Sequence, residues 1–156
     1  MEVYIDLQNT CEDLDELPSL EKLTLWSKTA LIVGGRNTDS ELTVRMVKAD
    51  EIKNLNATYR HIDKSTNILS FPFECPEELE LPLIGDLIIC FDILKKEALE
   101  QHKTLEEHFA HLIVHGCLHL IGYDHIDPND ATVMEPLEIK ALEQLGFDNP
   151  YKDDEF

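Results

Sequence analysis

Basic residues are scarce in this chain of 156 amino acids. Only 13 Lys and Arg stand against 32 Asp and Glu, for a formal net charge of −19. So acidic a surface repels polyanions overall, which excludes a protein that coats nucleic acid indiscriminately. Long apolar stretches are missing as well: runs such as Leu81–Ile84 and Leu87–Cys90 fall far short of a membrane span, so no membrane partner is expected. The opening Met1-Glu2-Val3-Tyr4-Ile5-Asp6 has neither a positive n-region nor an apolar h-region, so a cytoplasmic protein without an export signal is expected. The four cysteines (Cys11, Cys75, Cys90, Cys117) form no C-x-x-C pair and are expected to stay reduced. Internal repeats, low-complexity tracts and Gly/Ser linkers are absent too.

What remains is a globular composition, 43% hydrophobic and 29% charged. Its length suits a single domain over 1–156, with an acidic tail from about 148 that is expected to fray. The acid is unevenly spread. Residues 1–21 hold seven carboxylates and no Lys or Arg, whereas Lys22 to Lys64 holds eight basic residues against five acidic. Any phosphate contact belongs in that second stretch.

Periodicity predicts strands at Val3–Gln8, Glu41–Val47, Asn67–Phe73 (an edge strand, because of Pro72) and Gly85–Phe91. Helices are predicted over Leu17–Val33, from an Asp50 N-cap to Tyr59, and over Asp92–His102, Thr104–Ile121 and about Asn129–Leu145. Cys75 to Pro82 reads as an acidic loop. The fold class is therefore α+β: a small mixed β-sheet packed with about five helices, carrying a zincin-like metal site at the end of a helix.

That site rests on histidine spacing. Six of the seven histidines lie between His102 and His125. Thr104 and Glu107 form a T-x-x-E capping box at the start of the helix. Residues four apart on a helix face the same way, so His115 and His119 present two imidazoles to one ion. Gly122 can end the helix in a left-handed turn and let His125 swing in as a third ligand. Three histidines and an open position describe a catalytic zinc site. His108 and His111 lie too far back for that shell and read as packing or supporting groups. Cys117 faces away, Met134 reads as a core residue, and Asp124 and Asp127 read as solvated loop acids.

The spacing H-x3-H-x2-G-x2-H is that of metzincin proteases, but Gly116 stands where those enzymes carry their general-base Glu. The ligand geometry of a protease is thus present without its base. Arg60, inside the basic stretch, is a guanidinium of fixed charge suited to binding a phosphate in two places and to stabilising phosphoryl transfer.

Together, Asn54…Tyr59-Arg60…Asp63…Thr66-Asn67-Ile68-Leu69-Ser70-Phe71-Pro72-Phe73, Gly85-Asp86-Leu87-Ile88-Ile89 and His115-Gly116-Cys117-Leu118-His119-Leu120-Ile121-Gly122-Tyr123-Asp124-His125 resemble the YbeY family of bacterial metal-dependent endoribonucleases. The resemblance implies zinc on His115, His119 and His125, and a functionally needed Arg60. It implies single-strand-specific cleavage of RNA, maturation of the small-subunit ribosomal RNA 3′ end, and ribosome quality control. The partners it implies are ribosomal RNA and ribosomal proteins; no DNA partner is expected. One Zn²⁺ is the expected cofactor, although Ni²⁺ accepts the same donors. Two rival readings stand beside it: a zinc metalloprotease-like hydrolase, and a non-catalytic ribosome-binding module with a structural metal.

Overall fold

Strand β1 (Val3–Asn9) forms one edge of a four-stranded sheet. The computed structural model describes residues 1–9, 17–73, 81–123 and 128–151, the side chains of 128–131 excepted. After β1 come α1 (Leu20–Val33), β2 (Ser40–Val47), α2 (Ala49–Arg60), β3 (Ile68–Pro72) and β4 (Leu83–Cys90). Three helices follow: α3 (Phe91–Glu100), α4 (Leu105–Leu120) and α5 (Pro128–Gln144). The sheet order is β1-β2-β4-β3, with β1, β2 and β4 parallel and β3 antiparallel to β4. This is the expected α+β fold with a mixed sheet and five helices. No described helix is long and apolar enough to cross a membrane.

Strand alternation sets the two faces. Leu42, Val44 and Met46 of β2 join α1, α4 and α5 in the larger core, where Leu23, Trp26, Phe109, Ile113, Leu118 and Met134 are all buried. Val47, Leu69, Ile88 and Cys90 face the other way, against Ile52 of α2. One extra residue in β4 breaks the alternation: Glu41 pairs with Leu83 but Leu42 with Gly85. Gly85 carries this bulge at φ +145, where an added Cβ would stand 2.3 Å from the Phe71 carbonyl oxygen. The bulge lets Ile84 and Leu87 both reach the larger core.

Helix α4 is the central element, touching α1, α3, α5, β3 and β4. Thr104 caps it, its hydroxyl accepting the Glu107 N–H at 3.1 Å as expected. Its far end closes on Gly122 at φ +109: the Gly122 N–H donates to His119 O (3.1 Å) and the Tyr123 N–H to Leu118 O (3.0 Å). Two such bonds around a left-handed residue make a Schellman stop. The predicted starts shift slightly elsewhere. Ser19, not Leu17, opens α1, its hydroxyl accepting the Lys22 N–H. Lys48 rather than Asp50 precedes α2, leaving Asp50 in the first turn, where a carboxylate still meets the positive end of the helix. Most of the predicted loop at 75–82 and the last five residues of the acidic tail lie outside the described residues.

Candidate metal centre and cleft

From His108 to Leu120, every residue of α4 is buried except His111, His115 and His119. These three recur every fourth position and form one stripe along an otherwise sealed helix. Core packing around the rest of 108–120 therefore aims the stripe away from the described core. The Nε2 atoms of His115 and His119 come within 3.0 Å of each other. Two imidazoles on a tetrahedral zinc, each bonded at about 2.0–2.1 Å, would sit about 3.3 Å apart. The pair thus needs only a few tenths of an ångström of opening to grip an ion.

Behind His115 stands Glu138 of α5, wholly buried. Its Oε1 accepts from His115 Nδ1, its Oε2 accepts the Tyr151 hydroxyl, and His111 Nε2 lies 3.8 Å from Oε2. Burial alone would raise this carboxyl, but hydrogen bonds and charge from His111 and His115 outweigh it and hold the group down at about 2. An ionised carboxylate only accepts, so Nδ1 is the donor of that contact and Nε2 is the nitrogen turned towards His119. A carboxylate behind a histidine in this manner fixes the tautomer that a metal requires. His108 has a separate partner, Glu97 Oε1 at 3.0 Å, which Asn67 Nδ2 also reaches at 3.0 Å. Burial lowers the His108 pKa, and Glu97 opposes that shift only in part.

His125 lies outside the described residues, as do Asp124 and Asp127. Among the described residues no group of three His, Cys, Asp or Glu side chains suited to a metal ion occurs. The donor chemistry of His115 and His119, with Glu138 behind, nonetheless fits a divalent ion that a third imidazole would complete. Cys117 is buried in the core, and burial pushes its thiol up to about 12, so it stays protonated and inert.

Gly116 touches the sheet. A Cβ there would meet Leu87 Cδ2 at 2.7 Å and Ile68 Cδ1 at 3.0 Å. The position where a zincin protease carries its base therefore has no room for a carboxylate.

Arg60 comes to the same place from the end of α2. His61 turns left-handed at φ 60 and ends that helix, leaving Arg60 exposed in its last turn. Arg60 Nη2 donates to Ser70 O of β3 at 2.6 Å, and its guanidinium lies 5.4 Å from the centre of the Phe71 ring. Tyr59 packs edge-on against that ring, with centroids 5.5 Å apart. A cleft of about 480 Å³ is lined by Arg60, Asn56, Ser70, His115 and His119 among others, and none of its described lining residues is acidic. A second cavity, about 650 Å³, lies on the other side of His115 and does hold acids, among them Glu97 and Glu135.

Sequence reasoning missed Glu138 and Tyr151. Glu138 did leave a trace: it falls at i+4 between Met134 and Leu142, a carboxylate on an otherwise apolar stripe. Tyr151 left none, because its role depends on the chain returning to α5 from the far side.

The chain matches the protein family described as Endoribonuclease YbeY over residues 7–146. It is also similar to the solution structure of a protein from Thermotoga maritima, with 26% sequence identity and a TM-score of 0.59. That similarity covers 92% of this chain and 88% of the other.

Proposed function

The chain belongs to the YbeY family of endoribonucleases, and we propose that it cuts single-stranded RNA in the cleft shared by Arg60 and the His115–His119 pair. The observation that carries this reading is the meeting of a fixed cation with two convergent imidazoles in a cleft whose described walls bear no acid. His115, His119 and His125 would hold the ion, with zinc as the proposed metal. When bound, a divalent ion supplies Lewis acidity at a phosphoryl oxygen. Arg60 contributes a fixed positive charge and, beyond the N–H given to Ser70 O, further in-plane N–H donors for the phosphate. Its bond to Ser70 O holds the guanidinium in place beforehand, so little ordering is left for the moment of reaction. Glu138 keeps the His115 ring oriented through its contact with Nδ1.

The proposed substrate is ribosomal RNA, chiefly the 3′ end of the small-subunit RNA, in maturation and ribosome quality control. Ribosomal proteins are the proposed partners, and a single cytoplasmic domain the proposed setting. The packing of Gly116 speaks against the peptidase alternative.

The test is cleavage of a single-stranded RNA by metal-loaded Arg60→Gln and His119→Ala variants. Arg60→Gln should lose about 10²–10³-fold in rate, as expected for a donor to developing charge, while binding metal as before. His119→Ala should lose both properties. Full cleavage by Arg60→Gln would overturn the role of Arg60, whereas a metal-loaded wild type that cuts no RNA would favour a structural metal in a binding module.

A further inference from the structure

The cleft does not end at the imidazoles. Pro72 and Gly122 line it and also line a further cavity of about 970 Å³, whose far wall includes Arg36, Thr38 and Ile121. The same three residues border a third hollow of about 330 Å³. The Arg60 cleft and the cavity that Arg36 lines thus adjoin at Pro72 and Gly122.

Arg36 is held for such a role. Its backbone N–H closes the end of α1 on Leu31 O at 2.9 Å. Its Nε donates to Ser40 Oγ and its Nη2 to Asp39 O at 3.3 Å, so the side chain is braced through two of its five N–H groups. Neither acceptor is a carboxylate. The Asp39 carboxylate instead accepts the Glu2 backbone N–H at 2.9 Å, and Arg36 forms no ion pair among the described residues. Among the described residues Asp39 is the one acid on the wall of this cavity, and its carboxylate is turned to the Glu2 N–H rather than paired with the guanidinium.

The loop carrying Arg36 is also keyed to the metal end of α4. Tyr123 OH donates to Gly34 O at 3.0 Å. Gly34 lies so close that a Cβ there would come within 2.6 Å of Ile121 and 2.9 Å of Leu118. Arg36 accordingly keeps a fixed place relative to the turn that follows His119.

We propose that Arg36 is a second phosphate-holding residue, which binds a phosphodiester of the RNA strand in the cavity that adjoins the Arg60 cleft at Pro72 and Gly122. It is a positioning residue, acting on a phosphate that does not react, and the proposal rests on the endoribonuclease reading. A flexible single strand gripped only at the scissile phosphate would be free to swing, and a second fixed cation sets its course across the site.

The experiment measures binding of a cleavage-resistant 2′-O-methylated single-stranded RNA of about ten nucleotides to the metal-loaded protein as salt is varied. One lost phosphate contact on a single strand lowers the salt slope by about 0.7, which is about fivefold in affinity across the decade from 1 M to 0.1 M salt. Arg36→Gln should show that loss, and a raised KM with unchanged kcat on unmethylated RNA. Arg36→Lys keeps the charge but not the forked brace, and should retain most of the wild-type slope. A wild-type slope in Arg36→Gln would overturn the proposal. So would an Arg36→Lys as impaired as Arg36→Gln, because the brace alone would then explain the loss. If the wild type binds with the predicted Arg36 dependence yet leaves unmethylated RNA intact, the nuclease reading fails and the phosphate contact stands. If it binds no RNA at all, both fail.

Discussion

Replacing Glu138 by Gln separates charge from shape at the back of the metal centre. Glutamine has the same outline, and its carbonyl can still accept from His115 Nδ1 while its amide donates to the Tyr151 oxygen. Packing and hydrogen-bond count survive; only the negative charge goes. Glu138 is 0% exposed, so no solvent replaces that charge. Outer carboxylates of this kind are worth about 10–100-fold in metal affinity, which is about 1.4–2.7 kcal/mol. Tyr151→Phe makes a useful companion, since it removes one donor to Glu138 and leaves the charge; its loss should stay under about tenfold. Competition titration against a chromogenic zinc chelator at neutral pH measures both, with the melting temperature of the metal-free proteins as a check on folding. A normally folded Glu138→Gln that binds zinc as tightly as the wild type would refute the reasoning. It would mean that the contact between Glu138 and His115 serves only the core.

Gly85→Ala should cost at least about 3 kcal/mol, since its Cβ would press on the backbone of β3 in a left-handed conformation. Differential scanning calorimetry should read this as a fall of about 6–12 °C in Tm. Gly122→Ala meets nothing within 4 Å, so its cost is backbone strain alone, about 1–2 kcal/mol. It should also weaken zinc binding, because the turn that leads to His125 is disturbed; unchanged affinity would argue against His125 as a ligand. For His108, burial sets the folded pKa below the unfolded value of 6.5. The unfolded chain then binds the proton more readily, so this group's stability is complete above 6.5 and declines as pH falls towards the folded pKa. His108→Gln should therefore narrow the gap in Tm between about pH 7 and about pH 5.5; parallel curves for variant and wild type would contradict it.

Local pattern carried the elements and half of the site. The i, i+4 spacing of His115 and His119, the Thr104 cap and the Gly122 stop are short-range signals, and α4 forms as they require. The edge position of β3 was legible through Pro72, which has no N–H to offer a neighbouring strand. The order β1-β2-β4-β3 was not, because pairing between β2 and β4 skips a whole helix and strand. Nor was the bulge at Gly85, where the backbone of β3 and Leu120 of α4 leave no room for a side chain. Long range also hid Glu138: a buried acid is tolerable only beside a proton donor, and its donors arrive from another helix and from the last described turn of the chain.

The apparent conflict between a net charge of −19 and a polyanionic substrate is eased by where the described charges sit. The wall of the Arg60 cleft has no described acid, whereas Glu97, Glu100 and Glu135 are gathered on the other side of His115. A phosphate in the cleft therefore meets Arg60 and no described acid on its walls, and charges farther off are screened beyond about 8–10 Å at physiological salt. The long-range field opposes indiscriminate binding, and the short-range field favours a strand already guided into place. Such an enzyme gains little from scanning free RNA. It gains most when another surface presents the strand, which is the physical reason to look for a basic protein partner on the ribosome.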